Sequence, residues 1–422
     1  MKVVSGRWSV DSRKCRKCAA HGRSRFPSDE TTRATGSQVE AGNEKIRSLL
    51  ATSHWLLATG VLLLFLAGCS FSSTPQFELN AEGRDPKSIA PSKRAVVLES
   101  LKNLFGTPDE PLAPEGTALR KDLLAVAAGR VYSDDRGNPF GLYRKHCVAC
   151  HGISGNGAGP NAAALLPYPR DYRRGVFKFT STAGGGKPAR EDLLRTLQSG
   201  IPGTAMPSFG RLPDGEIEAL AEYVKYLSIR GETELYLAQL VFDADETVDP
   251  KNLGDILEDS VKPIAQSWEI AAQRRIAPPA PPPTDSPELL SASLARGREI
   301  FLSRGAQCFK CHGPEGRGDG ELRPLYDDWN KPKKGDSPAR TGELAARYTL
   351  PLAELAPRNF TEGIFHGGDR PTDQFYRVSV GIPGTPMPPA GPSPGSQGIL
   401  SPEDIWNVVN YLRSLGNLPS AK

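Results

Sequence analysis

The chain has 422 residues, enough for two or three domains of ordinary size. Its 43 glycines and 38 prolines make up about a fifth of the residues and predict much irregular, turn-rich backbone. The 68 residues before Cys69 hold 11 of the 52 Lys and Arg and 5 of the 48 acids, leaving 41 basic and 43 acidic residues from there on. That interspersed balance excludes a nucleic-acid surface, despite the formal charge of +4.

In chain order, residues 55–67 come first, an apolar run of secretory-signal length preceded by Lys45 and Arg47. The run ends in Leu66-Ala67-Gly68-Cys69, which resembles a bacterial lipobox. The resemblance implies that the signal is removed and that Cys69 carries the lipid. Counted from Ser48, the same stretch approaches the ~20 residues that span a bilayer, so an uncleaved anchor is the alternative. Either way, the rest of the chain is expected outside the cytoplasmic membrane. No methionine lies between Met1 and Met206, and 68 residues are long for a signal, which usually runs ~15–30. The expectation is a non-ATG start, Val39 being a candidate, with residues 1–38 untranslated. Residues 69–117 are expected to be a tether with one short helix over Lys93–Phe105, Ser92 as its N-cap and Gly106 beyond its end.

Two Cys-x-x-Cys-His pentapeptides follow: Cys147-Val148-Ala149-Cys150-His151 and Cys308-Phe309-Lys310-Cys311-His312. This spacing is the signature of covalent c-type haem attachment. Each sulfur adds to one haem vinyl group, and the adjacent histidine is held beneath the ring, where a neutral imidazole can ligate the iron. Two such motifs predict two haem c groups. In Cys15-Arg16-Lys17-Cys18-Ala19-Ala20-His21 the histidine stands two residues too far along, and a zinc site would need a further ligand.

The motifs open two copies of one pattern. The first continues through Pro169-Arg170-Asp171-Tyr172, Gly175-Val176-Phe177 and Gly200-Ile201-Pro202-Gly203-Thr204-Ala205-Met206-Pro207. The second continues through Pro357-Arg358-Asn359-Phe360, Gly363-Ile364-Phe365 and Gly381-Ile382-Pro383-Gly384-Thr385-Pro386-Met387-Pro388. Apolar residues at helical spacing close each copy over Glu216–Leu227 and Asp404–Leu415. A helix over Ser293–Leu302 leads into the second motif. Its counterpart in the first copy is interrupted at Asp134–Pro139 and resumes at Phe140. The copies span roughly residues 118–245 and 288–420. Between them, 246–287 is read as a Pro-rich linker holding a short helix, Lys262–Arg275, with Pro263 in its first turn, then Pro278–Pro283 as stiff polyproline II.

A six-coordinate haem needs a second axial ligand. The chain has three methionines, and the two beyond Met1 occupy the same place in each repeat, in a loop that Pro and Gly make rigid. Met206 and Met387 are therefore the expected sixth ligands, opposite His151 and His312. A soft, neutral sulfur favours ferrous iron and places both haems towards the high end of the haem range. His146 adjoins Cys147 and reads as a residue of the attachment turn. His366 stands where the first copy has Lys178, which suits a haem edge or propionate, with bis-histidine ligation of the second haem as the alternative.

A leading helix, Cys-x-x-Cys-His, a Gly-rich loop, a Met loop and a closing helix bearing an aromatic together resemble class I cytochrome c, duplicated. The resemblance covers about 118–228 and 290–416 and implies a mainly α fold of two tandem domains with extensive irregular loops around each haem. It further implies a crossing of Gly297 and Phe301 with Tyr411, and of Phe140 or Gly141 with Tyr223. A proline carbonyl is implied to receive the proximal histidine N–H, with Pro160 and Pro324 as candidates. Arg170 and Arg358, at one repeat position, are candidate propionate partners or solvated surface arginines.

The leading functional expectation is a membrane-tethered dihaem carrier without a substrate of its own. It would pass single electrons from a quinol-oxidising complex or dehydrogenase to a terminal oxidase or reductase. A dihaem peroxidase-like enzyme, or the electron-transfer subunit of a larger oxidoreductase, is the alternative. Peroxide chemistry needs an open iron position, and two Met-ligated irons argue against one.

Overall fold

A computed structural model describes residues 74–421 apart from 82–83, 245–248, 250–252, 329–330, 332–334, 336, 338, 341 and 344–349. The leader, Cys15, Cys18 and the lipidation candidate Cys69 lie outside the described residues. The chain from Thr74 onward forms one compact unit, mainly helical, with two hydrophobic cores. Among the described residues, no helix is long and apolar enough to cross a membrane.

The first core is assembled from more of the chain than the repeat alone. Helix α1, Pro91–Phe105, begins on Pro91 rather than with Ser92 as cap, and stops where Gly106 turns to φ +74°. Its Val97, Leu101 and Phe105 are fully buried. After α2, Lys121–Ala127, comes a hairpin of β1, Tyr132–Ser133, and β2, Pro139–Phe140, which turns through the Asp-Asp-Arg-Gly-Asn run. The helix then resumes as α3, Leu142–His146, and passes into α4, Val148–His151, which carries the first motif. Helix α5, Arg190–Ser199, precedes the Met206 loop.

The closing helix α6 runs Asp214–Phe242, fifteen residues beyond the expected end at Leu227. Gly231, inside this extension, is a packing site. A Cβ on it would fall 2.2 Å from Arg173 Cα, and the added turns bury Ile229, Leu237 and Val241. Helix α7, Gly254–Glu269, starts earlier than the expected 262 and holds Pro263 in its interior. Leu253, Leu257, Val261 and Trp268 join the first core, so this part of the spacer packs as core rather than as a free linker. The proline run beyond it lies against the second repeat, its Pro279 carbonyl accepting from Trp406 Nε1 at 3.0 Å.

The second repeat is simpler. Helix α8, Pro287–Leu302, is capped by Ser286, whose hydroxyl accepts from Leu289 N. Helix α9, Cys308–His312, carries the second motif, α10 is Pro371–Val380, and α11 is Pro402–Leu415 with Ser401 as its cap. Helices α8 and α11 cross at Gly297, with the rings of Phe301 and Tyr411 5.5 Å apart. In the first repeat Tyr143, not Phe140 or Gly141, meets Tyr223, at 4.8 Å. Phe140 is drawn off by the hairpin and stacks on Tyr132 at 4.9 Å.

The α8–α11 crossing yields a stability prediction. A Cβ on Gly297 would lie 2.1 Å from Asn407 O and 2.7 Å from Asn407 C, so the helices would have to move apart. Gly→Ala in an exposed helix gains about 1 kcal/mol in propensity, whereas overpacking against backbone costs about 1–3 kcal/mol or more. Gly297→Val adds bulk without comparable propensity gain. It is expected to lower the thermal midpoint of the second repeat by about 5–15 °C. An unchanged melt would refute the close crossing.

Candidate functional site

Each attachment pentapeptide forms a single helical turn. Cys147, Cys150, His151 and Met206 line one cavity in the first repeat, together with Leu165, Tyr172, Phe177, Leu197 and Val224. The two cysteines and the histidine come from α4 and its start, the methionine from the loop after α5, and the apolar wall from the loops between and from α5 and α6. The chain therefore closes an apolar slot with a thiol pair and a histidine on one part of its lining and a thioether on another.

His151 is buried, and its Nδ1 lies 3.1 Å from the Arg170 carbonyl oxygen. A carbonyl only accepts, so Nδ1 carries the proton and Nε2 keeps its lone pair. Burial pushes the His151 pKa down to about 4, so the ring is neutral at physiological pH. His312 has the same support from the Arg358 carbonyl at 3.2 Å, and burial lowers its pKa too. The expected acceptors Pro160 and Pro324 are thereby corrected: the carbonyl in each repeat belongs to the arginine of the Pro-Arg pair. That pair recurs at the same repeat position, which was the available signal. An aromatic stacks on each histidine at 4.6 Å, Tyr172 on His151 and Phe360 on His312.

The two Met loops share one hydrogen-bond pattern. Ile201 N donates to Met206 O at 3.1 Å, and Thr204 Oγ1 bonds the Ile201 carbonyl at 2.8 Å while accepting from Met206 N at 3.2 Å. Ile382, Thr385 and Met387 repeat all three bonds at the same lengths. Both methionines are partly buried. Thus the hydrogen bonds within each loop come from its own backbone and one threonine, and no helix or strand lies within it.

The thiols suit a covalent group better than a bound ion. Burial pushes Cys147 up to about 12 and Cys308 up to about 11, so both are protonated. A protonated buried thiol is a poor zinc ligand, whereas a thioether adds no charge to an apolar wall. Among the described residues, no three or more His, Cys, Asp or Glu side chains converge as a metal-ion site.

Haem also carries two anionic propionates, and the protein has spare donors for them. Arg170 Nη2 and Arg358 Nε are buried without a hydrogen-bond partner; Arg170 Nη2 reaches Asp327 Oδ1 only at 3.8 Å. The residues present therefore fit the group: two thiols, a neutral histidine, a thioether and donors for negative charge.

Sequence reasoning missed Asp327, and it could not say that His366 reaches the site of the other repeat, because only the packing of the two repeats brings these groups together. Asp327, from the long loop after α9, is buried and bonds Lys178 of the first repeat at 3.0 Å. His366 of the second repeat lines the cavity of the first. Its Nε2 accepts from Arg358 Nη1 at 2.9 Å, and burial together with that guanidinium pushes its pKa down to about 4. His146 lines the first cavity as well, its ring edge-on to Phe209 at 5.8 Å.

Comparison with known proteins finds a family match on each repeat. The family described as "Cytochrome C oxidase, cbb3-type, subunit III" matches residues 136–224, and the family "Cytochrome c" matches residues 294–416. No curated protein matches significantly. A solved structure, described as the Kuenenia stuttgartiensis reducing HAO-like protein complex, contains a chain 27% identical. The match covers 65% of this chain and 94% of that one, with a TM-score of 0.43. The two family matches fall one on each repeat, each containing its Cys-x-x-Cys-His motif. The chain thus belongs to the cytochromes c, as a tandem dihaem protein with two covalently attached haem c groups whose domains serve electron transfer.

Proposed function

We propose that this chain is a membrane-tethered carrier working outside the cytoplasmic membrane. It passes single electrons from a quinol-oxidising complex or dehydrogenase to a terminal oxidase or reductase. Cys147 and Cys150 hold one haem through thioethers and Cys308 and Cys311 the other, with His151 and Met206, and His312 and Met387, as axial pairs. Bound haem c supplies the one-electron iron couple. Everything else falls to the chain's own residues. The Arg170 and Arg358 carbonyls orient the histidines and fix their tautomer. The apolar walls keep water from the sites, and the spare arginine donors suit the propionates. Cys69, as a lipid-bearing residue, would keep the carrier near membrane complexes and raise its effective concentration there.

One observation carries this reading. The histidine support and the Met loop are the same, bond for bond, in both repeats, which supports the reading that each site closes its iron from two sides. A carrier needs that closure, because only an electron leaves or enters.

The test is the optical spectrum of the reduced, haem-loaded protein before and after carbon monoxide. An unchanged spectrum is expected. A change at either haem in the unaltered protein would mean an open position and would favour the peroxidase-like reading, which turnover with peroxide would then decide.

A further inference from the structure

The two repeats meet through their ligand loops, and the contacts come in matched pairs. In the Met206 loop, a Cβ on Gly203 would lie 3.1 Å from both His366 Nε2 and Ile364 Cγ2 and 3.4 Å from Arg358 Nη1, all of the second repeat. In the Met387 loop, a Cβ on Gly384 would lie 3.0 Å from Arg170 Nη1 and 3.1 Å from Val176 Cγ1, both of the first. Arg170 matches Arg358 in the repeat, and Val176 matches Ile364. Both glycines also have positive φ, +75° and +77°, so the turn and the close approach call for the same residue.

Each arginine consequently serves two sites at once. Its backbone carbonyl accepts from the histidine of its own repeat, at 3.1 Å for Arg170 and 3.2 Å for Arg358. Its guanidinium forms part of the wall against which the other repeat's Met loop rests.

We propose that Arg170 and Arg358 are cross-domain positioning residues, each bracing the Met loop of the opposite repeat, so that closure of each iron site depends on a residue of the other domain. This rests on the ligation by Met206 and Met387 proposed above. The physical need for a brace follows from the loops themselves. Few hydrogen bonds hold them, no helix or strand lies within them, and a thioether–iron contact tolerates little displacement.

The two braces differ. Arg170 and Lys178 both face the buried Asp327, at 3.8 and 2.9 Å, and the next residue's Asp328 N donates to Gly384 O at 3.0 Å. Arg170, Asp327 and the Met387 loop are thus one assembly spanning both repeats. Arg358 bonds His366 and Glu362, both of its own repeat. The Met206 loop therefore has the weaker hold, and its ligand is the more labile of the two.

The experiment uses the full chain carrying both haems, reduced and titrated with carbon monoxide. Met206→Ala and Met387→Ala supply the reference spectra for opening at the first and second haem. Arg170→Ala is expected to raise carbon monoxide binding about tenfold more at the second haem than at the first, whose cavity Arg170 also lines. That ratio corresponds to roughly 1.4 kcal/mol of lost support. Arg358→Ala is expected to act in the converse sense, at the first haem. Should either arginine variant fail to load two haems, Val176→Ala and Ile364→Ala thin the same walls without removing a charge and should open the same opposite haems. Opening chiefly at the variant's own haem, at both haems equally, or at neither would overturn the proposal. If the Met206 and Met387 variants themselves bind no carbon monoxide, the ligation reading falls first and takes this proposal with it.

Discussion

Replacing Cys147 and Cys150 together by serine is expected to halve the covalent haem of the protein, from two groups per chain to one. Serine approximates the shape of the pentapeptide turn but cannot form a thioether, so the loss isolates the covalent bond. The surviving haem should be the one on Cys308 and Cys311, and mass analysis of the unfolded chain would read one haem in place of two. A chain that still carried two would refute the attachment sites. The first repeat should also melt earlier. Its cavity wall of Leu165, Tyr172, Phe177, Leu197 and Val224 is apolar and would gain no partner in place of the porphyrin.

The second large effect is on the iron ligands. Met206→Ala or Met387→Ala should lower the potential of the haem concerned, by on the order of 100 mV within the ~0.8 V span that axial ligands cover. For a one-electron couple, 59 mV is tenfold, so such a shift would change the ferrous-to-ferric ratio by well over tenfold at fixed solution potential. The same variant should bind carbon monoxide in its ferrous state, because alanine leaves the position open. The two titration waves are measured separately, and a shift in one wave per variant is the expected outcome. Two unmoved waves would sink both assignments. Their effect should also exceed that of the arginine braces, since removing the ligand outweighs loosening its loop.

How far the fold was legible depended on how local its signals are. The tandem haem fold, the motif positions and the repeat units could be read because each rests on a contiguous pattern: a pentapeptide, a Pro-Gly loop, a helical period. The extent of the first unit could not. Helix α6 continues through Gly231 because Arg173 backbone packs where a side chain would otherwise stand, and α7 carries Pro263 in its interior because its apolar face finds the first core. The local pattern ends the first of these helices at Leu227 and starts the second next to Pro263, and tertiary packing extends both.

The sequence by itself determined the number of haem groups and the duplicated architecture, because covalent attachment demands a contiguous motif and duplication leaves a visible repeat. Only the tertiary structure decided which carbonyls hold the histidines, since the acceptors stand 19 residues from His151 and 46 from His312. It alone placed Asp327, His366 and the two arginine side chains between the repeats. Such contacts arise when two faces pack, and the energy of burying them together leaves no periodic trace in either strand of sequence.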